Sequence, residues 1–334
     1  MYKGITFAGN ILTDVVKTIT EYPSPGMLAS ITAVSQAVGG CVPNTAIDVA
    51  KMDPAVPLSA YGRVGDDAYG QYVTGQMAAH GIDVSHVKIT PDVPTSFSDV
   101  MSDASTGERT FFHARGANAR FGPADVDVDA LDCRIFHIGY ILLLDTMDEP
   151  DEAYGTVLAG LLAKVQAKGI RTSVDVVSDS SGRFREKIVP ALRYCDYAIM
   201  NEIECCGVSG LDPRHPDGKI HLENIRTTME QMLEMGVRDR VIVHCPEAGF
   251  MLTADGTFRM TESVKVTPEQ IIGKVGAGDA FCAGCLYGLH EGMDDDRILP
   301  FASAAAACNL TAADSVSGMK SAGEVGIIAE RRYL

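Results

Sequence analysis

A short glycine-rich stretch is the part of this sequence whose residue types and spacing most directly suggest chemistry. It reads Gly276, Ala277, Gly278 and Asp279, and a run of apolar and small residues follows it. This pattern predicts a turn that opens a buried helix, whose free N–H groups and dipole form an anion site. A carboxylate beside such a site suits phosphoryl transfer to an alcohol. The carboxylate accepts the hydroxyl proton while backbone amides hold the developing negative charge.

The same stretch also has a plainer interpretation. It would then be an ordinary glycine turn in which Asp279 only stabilises the first turn of the helix. Short glycine motifs occur often by chance, so the motif alone does not decide between the two. The choice depends on what the rest of the chain places around it.

The composition excludes several classes of function. The chain has 334 residues, 46% hydrophobic and 22% charged, as expected for a globular protein with one large α/β domain or two smaller ones. The formal net charge of −16 argues against nucleic acid or an anionic membrane as a partner. The longest strongly apolar run, Ile138 to Leu144, is too short to span a bilayer.

The termini and cysteines indicate a reducing compartment. The first residues show no hydrophobic region of a signal peptide. The nine cysteines show no metal-binding spacing, and we interpret Cys282 and Cys285 as small core residues of an apolar helix. We therefore expect a cytoplasmic protein.

The predicted elements divide into two groups. Residues 12–36 and 95–115 read as β-hairpins, the second with a polar turn at 105–108. Between the two hairpins, Asp66 or Asp67 is the predicted N-cap of a helix. Because these hairpins do not fit a parallel sheet, we expect them to form a small separate antiparallel layer.

From about residue 133 onward, strands and helices alternate, which predicts an α/β fold with a mainly parallel sheet between helices. The predicted strands are Ile135–Gly139, Arg171–Val176, Tyr197–Met200 and Arg240–Cys245. The predicted helices are Asp151–Lys168, Arg183–Tyr194 and Leu222–Met235. No linker or repeat divides the chain, so we predict one domain over residues 1–334.

Polar residues follow the ends of several predicted strands. Ligands of open parallel sheets bind outside the carboxyl ends of the strands, so these residues are the predicted wall of the site. They are Asp14, Asp175, Asn201, Glu202, Glu204 and Asp279.

Three motifs give the chain a family resemblance. They are Gly39-Gly40-x-x-x-Asn44-x-Ala46, Asn201-x-x-Glu204 and Gly276-Ala277-Gly278-Asp279. Their order and separation, from Gly9 to about Gly318, resemble the ribokinase-like (PfkB) carbohydrate kinases. The resemblance implies that family's fold, with the hairpins as its lid. It also implies transfer of the γ-phosphoryl group of ATP to a hydroxymethyl group of a small sugar or sugar acid.

The resemblance implies a role for the residues of the glycine-rich stretch. Asp279 would be the catalytic base on the acceptor hydroxyl. The backbone amides of Gly276, Ala277 and Gly278 would form the anion hole for the transferring phosphoryl group.

Two further groups of residues receive roles in the same way. Asp14, Gly40 and Asn44 would hold the sugar hydroxyls, since a carboxylate can accept two hydroxyl donors at once. Asn201 and Glu204 would organise Mg²⁺ and its waters near the phosphates, with no direct protein ligand to the metal.

Plainer alternatives remain open for some of these residues. Asp14 would be a surface acid at a strand end, Asn44 a helix N-cap, and Glu204 a solvated acid in a first helical turn. Arg109 and Arg115 of the second hairpin lie within reach of a substrate, but exposed hairpin arginines are common, and we interpret both as structural.

The chain departs from the family pattern before the anion hole. The usual Asp-Thr is replaced by Gly273-Lys274, and in several members that Asp belongs to a monovalent-cation site. Potassium activation is therefore doubtful. Our hypothesis is that the Lys274 ammonium group replaces the cation or contacts a phosphate, and the alternative is a solvated lysine in a turn.

Two other departures concern the substrates. The family's Thr-Leu-Gly-x-x-Gly near the nucleotide reads His244-Cys245-Pro246-Glu247-Ala248-Gly249, and proline has no N–H to donate to a phosphate. We interpret His244 as structural, and nucleotide preference stays open. Cys41-Val42-Pro43 lacks the lysine typical of ribokinases proper. A ribose substrate is not supported, whereas fructose, a sugar acid or a nucleoside remains open.

Three other functions compete with a sugar kinase. A nucleoside kinase of the same fold would need an aromatic slot, which Phe97, Phe111 and Phe112 of the lid could provide. A sugar-binding relic without turnover is favoured by the degenerate nucleotide segment. A dinucleotide-dependent dehydrogenase would need GxGxxG after the first strand, which is absent, as is a Walker-type loop. The exposed lid edges lead us to predict a homodimer through the lid.

Overall fold

The computed structural model describes residues 3–105, 109–178 and 181–334, and its strands form two main sheets and one short hairpin. The strands of the described chain are β1 (Ile5–Gly9), β2 (Leu12–Ile19), β3 (Ile31–Gly39), β4 (Leu58–Gly65), β5 (Val87–Thr90), β6 (Ser96–Asp103), β7 (Arg109–Ala114), β8 (Ile135–Ile141), β9 (Pro150–Asp151), β10 (Gly155–Thr156), β11 (Arg171–Val176), β12 (Tyr197–Asn201), β13 (Arg240–His244), β14 (Ala248–Thr253) and β15 (Phe258–Glu262). The α-helices are α1 (Cys41–Met52), α2 (Ala68–Ala79), α3 (Val157–Ala167), α4 (Phe184–Leu192), α5 (Glu202–Ser209), α6 (Leu222–Met235), α7 (Ala277–Glu291), α8 (Asp295–Asn309) and α9 (Ala322–Arg331).

The central sheet runs in the order β15-β14-β13-β12-β11-β8-β1-β4-β5. Its seven strands from β13 to β5 are parallel, and β14 and β15 are added antiparallel at one edge. Strand side chains alternate between two cores: Tyr197 and Ile199 pack in one, Ala198 and Met200 in the other. One core is shared with α1, α7, α8 and α9 and the other with α3 to α6, so helices cover both faces. The predicted α/β class is confirmed.

A second, four-stranded sheet forms the predicted lid, in the order β3-β2-β6-β7. Its two hairpins, β2–β3 and β6–β7, are antiparallel as expected, and a parallel β2–β6 pair joins them. Residues 106–108 of the predicted 105–108 turn lie outside the described part of the chain.

The predicted helix Asp151–Lys168 starts too early. The short β9–β10 hairpin occupies its first residues, where the Asp151 carboxylate accepts hydrogen bonds from the amides of Ala153 and Tyr154. Gly155 has a φ of 89°, which a helix excludes, and Thr156 then caps α3 through its hydroxyl. Asp67 caps α2 as one of the two predicted residues.

The helices and the cysteines of the described chain bear on two further expectations. No helix within the described ranges is long and apolar enough to cross a membrane. All nine cysteines are buried and unpaired, including Cys282 and Cys285 in α7.

Candidate active site

A cavity of about 630 Å³ opens at the carboxyl ends of the central strands, beneath the lid. The lid contributes Asp14 and Ser98, and the strand ends contribute Asp175 and Asn201. Of the predicted wall residues, the cavity brings together Asp14, Asp175, Asn201, Glu204 and Asp279. Glu202 lies outside it, because its carboxylate pairs with Arg214 at 2.6 Å.

The glycine-rich stretch forms a tight turn and then the start of α7. Gly276 is the N-cap, with a φ of 80°, and a Cβ there would lie 2.6 Å from the Cβ of Ser315. Only glycine fits such a position without strain. Across the described residues, no acceptor is bonded to the amides of Ala277, Gly278 or Asp279. These N–H groups stay free at the positive end of the helix dipole, beside the cavity.

Asp279 is buried and held by two side-chain donors. Asn44 donates its Nδ2 to Oδ2 at 2.8 Å, and the Tyr140 hydroxyl donates to Oδ1 at 2.6 Å. Burial raises the pKa of Asp279, and these two hydrogen bonds act in the opposite direction. The alternative of Asn44 as an N-cap is wrong, because Gly40 holds that position and Asn44 lies inside α1.

Tyr140 is a site residue that the sequence did not reveal. It follows Gly139 in β8, so the rule that ligands bind at carboxyl ends of strands was the available signal. Nothing in the local sequence couples it to Asp279, since the two residues are 139 positions apart.

Asp14 faces Asp279 across the cavity from lid strand β2. It is 8% exposed, so the alternative of a surface acid is wrong. Burial raises its pKa to about 7, and the Asp279 charge adds to this effect, whereas Ser98 and Arg109 oppose it. A Cβ on Gly39 would lie 2.7 Å from the Asp14 carboxylate, so the glycine makes room for this side chain.

Gly40 contributes backbone to the same wall. Its φ is 88°, and a Cβ would lie 2.5 Å from the carbonyl oxygen of Asn10. Any larger residue would therefore displace the start of α1, which carries Asn44.

Asn201 and Glu204 cap α5 reciprocally. The Asn201 side chain accepts hydrogen bonds from the amides of Ile203 and Glu204, and the Glu204 carboxylate accepts from the Asn201 amides and the Ser178 hydroxyl. Glu204 is 4% exposed, so the alternative of a solvated acid is wrong. Burial is the main cause that raises its pKa to about 7. A buried carboxylate that has only neutral hydrogen-bond partners fits a hydrated Mg²⁺ near it.

A second cavity of about 590 Å³ adjoins the first. The two share Asn201, His244, Lys274, Ala277 and Gly278. The second has a largely apolar wall that includes Val264, Val266, Ile271, Phe281, Ala306, Ala307 and Leu310. The His244 ring lies against Gly278 and packs on Phe281, with ring centroids 4.9 Å apart, so it separates the two cavities.

Two lysines lie near the anion hole in different settings. Lys274 is exposed at the junction of the cavities. Lys51 of α1 instead donates to the carbonyl oxygens of Val316 at 2.7 Å and Ser317 at 3.2 Å. Lys51 thus binds the carbonyls of the loop that follows α8, whereas the structure leaves the role predicted for Lys274 untested.

The lid arginines differ from each other. Arg115 donates to the carbonyl of Leu142 and to Asp145, both at 2.9 Å, which is a structural role. The Arg109 charge acts on Asp14, and its Nη1 is buried without a partner among the described residues. Arg109 does not line the cavity, so its role stays open between a structural residue and a charge that acts on Asp14.

Comparisons with known proteins identify the family of this chain. Residues 5–322 match the family described as pfkB family carbohydrate kinase. A ribokinase of Schizosaccharomyces pombe is 26% identical over 332 residues, covering 96% of both chains. A 2-dehydro-3-deoxygluconokinase of Thermoproteus tenax is 26% identical over 292 residues, covering 85% of this chain and 82% of the relative.

The solved structures place the fold in the same group. A putative ribokinase II from E. coli, in complex with ATP and Mg²⁺, superposes with a TM-score of 0.78 at 21% identity. The match covers 98% of this chain and 99% of the other. With nearly its whole length matched, this chain belongs to the pfkB family of carbohydrate kinases, which are phosphotransferases.

Proposed function

We propose that this protein transfers the γ-phosphoryl group of ATP to a hydroxymethyl group of a small sugar or sugar acid. The observation that carries the proposal is the arrangement at the start of α7. There, the Asp279 carboxylate lies beside the backbone amides of Ala277, Gly278 and Asp279, which have no acceptor within the described ranges, and these groups line one cavity. Such a site can deprotonate an alcohol and hold phosphoryl charge at once.

In the proposed mechanism, Asp279 accepts the acceptor's hydroxyl proton. The hydrogen bonds from Asn44 and Tyr140 orient its carboxylate and favour the ionised form. The amides of Ala277 and Gly278, with the turn at Gly276, hold the transferring group. This anion hole is pre-built backbone, so it needs no reorganisation during the reaction.

The first cavity suits a polyhydroxylated acceptor. Its polar wall is rich in carboxylates, and Asp14 with the helix start at Gly40 and Asn44 can bind several hydroxyl donors. The Arg109 guanidinium near Asp14 offers a partner for the carboxylate of a sugar acid. Phe111 lines the same cavity and is the feature that favours a nucleoside as the alternative acceptor.

The second cavity suits the nucleotide. Its apolar walls accommodate a base, and its inner end reaches the free amides of α7 and Lys274, where the phosphates would lie. Asn201 and Glu204 would hold a hydrated Mg²⁺, which supplies charge neutralisation to the phosphates. Potassium dependence is left open by Gly273-Lys274.

A substrate panel with Mg·ATP tests the proposal by ADP release. We expect release that depends on one class of sugar or sugar acid, for example fructose, ribose or 2-dehydro-3-deoxygluconate. Release only with nucleosides would establish the alternative acceptor. Thermal stabilisation by a sugar without any ADP release would identify a binding protein that has lost turnover.

We further propose a single domain over residues 1–334 in the cytoplasm and a homodimer that pairs two lids. The support is β3, an edge strand whose residues 31–36 are exposed on both faces, with Ile31 52% and Val34 64% exposed. Unpaired apolar edges favour association. Light scattering at micromolar concentration tests it, and a monomeric mass would contradict the dimer.

A further inference from the structure

Three metal-ligating side chains meet under the floor of the first cavity. They are His137 on β8, Asp175 on the neighbouring strand β11, and Cys282 on α7. One donor atom from each lies within 4.8 Å of the other two. The spacing of these residues in the sequence does not predict the cluster, because its members come from three separate elements.

The donor set, and the one separation that is closest, fit the requirements of Zn²⁺. Structural and catalytic zinc sites use sulfur, imidazole and carboxylate ligands in tetrahedral geometry, which places donors about 3.3–3.8 Å apart. The Nε2 of His137 and the Sγ of Cys282 are already 3.8 Å apart. The Asp175 carboxylate lies within 4.8 Å of both atoms, so it would have to approach by at most about 1 Å to complete the set.

The surroundings of His137 already orient its ring. The Nδ1 lies 3.0 Å from the Ser173 hydroxyl, which fixes the ring and leaves Nε2 to face Cys282. Metal-bound histidines are commonly oriented in this way by a hydrogen bond to the other ring nitrogen.

Access and charge also fit a dication. His137 and Cys282 are 0% and 1% exposed, while Asp175 lines the cavity and opens a path for an ion. Asp175 shares the cavity wall with Glu204 and Asp279, so a cation bound there would reduce the repulsion among these carboxylates. Cys41 lies beside the cluster. An ideal Cβ built on Gly139 would be 3.2 Å from the Sγ of Cys41 and 3.1 Å from the Cβ of Asp175, so both side chains pack against Gly139.

We propose that His137, Asp175 and Cys282 form a Zn²⁺ site, and that Zn²⁺ bound there inhibits phosphoryl transfer. Binding converts the Cys282 thiol to a zinc-bound thiolate and releases its proton to solvent, together with any proton that the Asp175 carboxyl holds, without any change of oxidation state. The inhibitory part rests on the proposed function. Cys282 lies three positions after Asp279 on α7, so the ion's charge would lower the basicity of Asp279 and draw Asp175 away from the cavity.

Cobalt binding tests the site independently of catalysis. Metal-free protein is titrated with Co²⁺, and the thiolate-to-cobalt absorption band and tetrahedral d–d bands are recorded. We expect one such site, displaced by Zn²⁺, and loss of the thiolate band in Cys282→Ala. Cys285→Ala is the matched control, because Cys285 is buried on the same helix outside the cluster. His137→Gln, which keeps Cys282, should weaken Co²⁺ binding at least tenfold, and thermal melting with chelator identifies any variant that fails to fold.

The outcomes separate the site from the proposed function. Absence of a thiolate band in the wild type, or an equal band in Cys282→Ala, overturns the site. Cobalt binding by a protein that transfers no phosphoryl group to any acceptor leaves the site standing and defeats the proposed function. In an active enzyme, we expect Zn²⁺ inhibition that chelator reverses and that needs at least tenfold more Zn²⁺ in Cys282→Ala. Equal inhibition of both proteins overturns the inhibitory role.

Discussion

The two cavities meet at the start of α7 and differ in the number of carboxylate side chains that line them. The first is bounded by buried carboxylates on the lid, on α7 and at the strand ends, whereas the second is bounded mainly by aliphatic side chains and Phe281. A carboxylate-rich wall favours neutral hydroxyl donors and repels phosphates, and an apolar wall favours a base. This difference is our reason for proposing that the acceptor binds in the first cavity and the nucleotide in the second, with the amides of Ala277 and Gly278 between them.

The largest expected effect comes from a variant of Asp279, whose carboxylate lies at the start of α7, where the two cavities meet. Asp279→Asn should lower kcat by at least about 100-fold, because general-base catalysis is lost while the shape of the site is kept. The KM for the acceptor should change little. Steady-state kinetics measure both, with Asp296→Asn on the exposed surface of α8 as control. A kcat within tenfold of the wild type would remove Asp279 from the mechanism.

A variant of the lid acid tests the assignment of the first cavity. Asp14→Asn should raise the acceptor KM about tenfold, as expected for a lost hydrogen bond to a charged group, and leave the KM for ATP unchanged. Asp99→Asn on the neighbouring lid strand is the control, because Asp99 pairs with Lys17. A larger change in the KM for ATP would break the division between the cavities.

The same residue predicts a pH dependence. Because burial and the Asp279 charge raise the pKa of Asp14 to about 7, its carboxylate is protonated below that pH and ionised above it. The ionised form accepts two hydroxyl donors, so the acceptor KM should fall as the pH rises from 6 to 8. This fall should be absent in Asp14→Asn, and an unchanged pH profile in the variant would contradict the role.

Filling the second cavity should raise the KM for ATP and leave the acceptor KM unchanged, the reverse of the effect of Asp14→Asn, and the change should be smaller. Ala306→Leu adds bulk to its apolar wall and should raise the KM for ATP about three- to tenfold, since overpacking costs roughly 1 kcal/mol or more. The acceptor KM should not change. Ala167→Leu, exposed at the end of α3, is the matched control. An effect confined to the acceptor would reverse our assignment.

The smallest expected effect is on the stability of the protein and comes from Asp48, a buried acid of α1. Asp48 of α1 is fully buried and its carboxylate has no hydrogen-bond partner among the described residues. Burial raises its pKa well above the ordinary value, and the Asp279 charge adds to this. In the unfolded protein Asp48 loses its proton near pH 4, whereas in the folded protein it keeps the proton to a higher pH. The free energy of unfolding of the wild type therefore falls as the pH rises from the unfolded-state pKa of Asp48 to its folded-state pKa.

Asp48→Asn removes this proton and with it that part of the pH dependence. The variant should therefore gain stability relative to the wild type by at least about 1 kcal/mol between pH 5 and pH 7. Denaturant unfolding at both pH values measures the gain, with Asp66→Asn as an exposed control. A constant difference across this range would contradict a buried, protonated Asp48.

The predictable parts of the molecule were those encoded by contiguous residues. The helix start at Gly276–Asp279 was predicted because turn and helix follow each other in sequence. The parallel strands were predicted because their apolar runs recur at βαβ spacing. The start of α3 was missed because Gly155 breaks a pattern that is otherwise helical.

The parts that the sequence could not reveal depend on tertiary proximity. Tyr140 reaches Asp279, and Arg109 acts on Asp14, only because two sheets and a helix converge at one edge. The burial of Glu204 follows from its position under Ser178, which local patterns do not contain.

The bond network of Lys51 has a mechanical consequence. Its ammonium group ties α1 to the carbonyls of Val316 and Ser317, and the adjacent Ser315 packs against Gly276. The helix that presents Asn44 and the turn that presents the amides are thereby fastened to one short loop. Any displacement of that loop would shift both reactants' binding groups together and preserve the distance over which the phosphoryl group must travel.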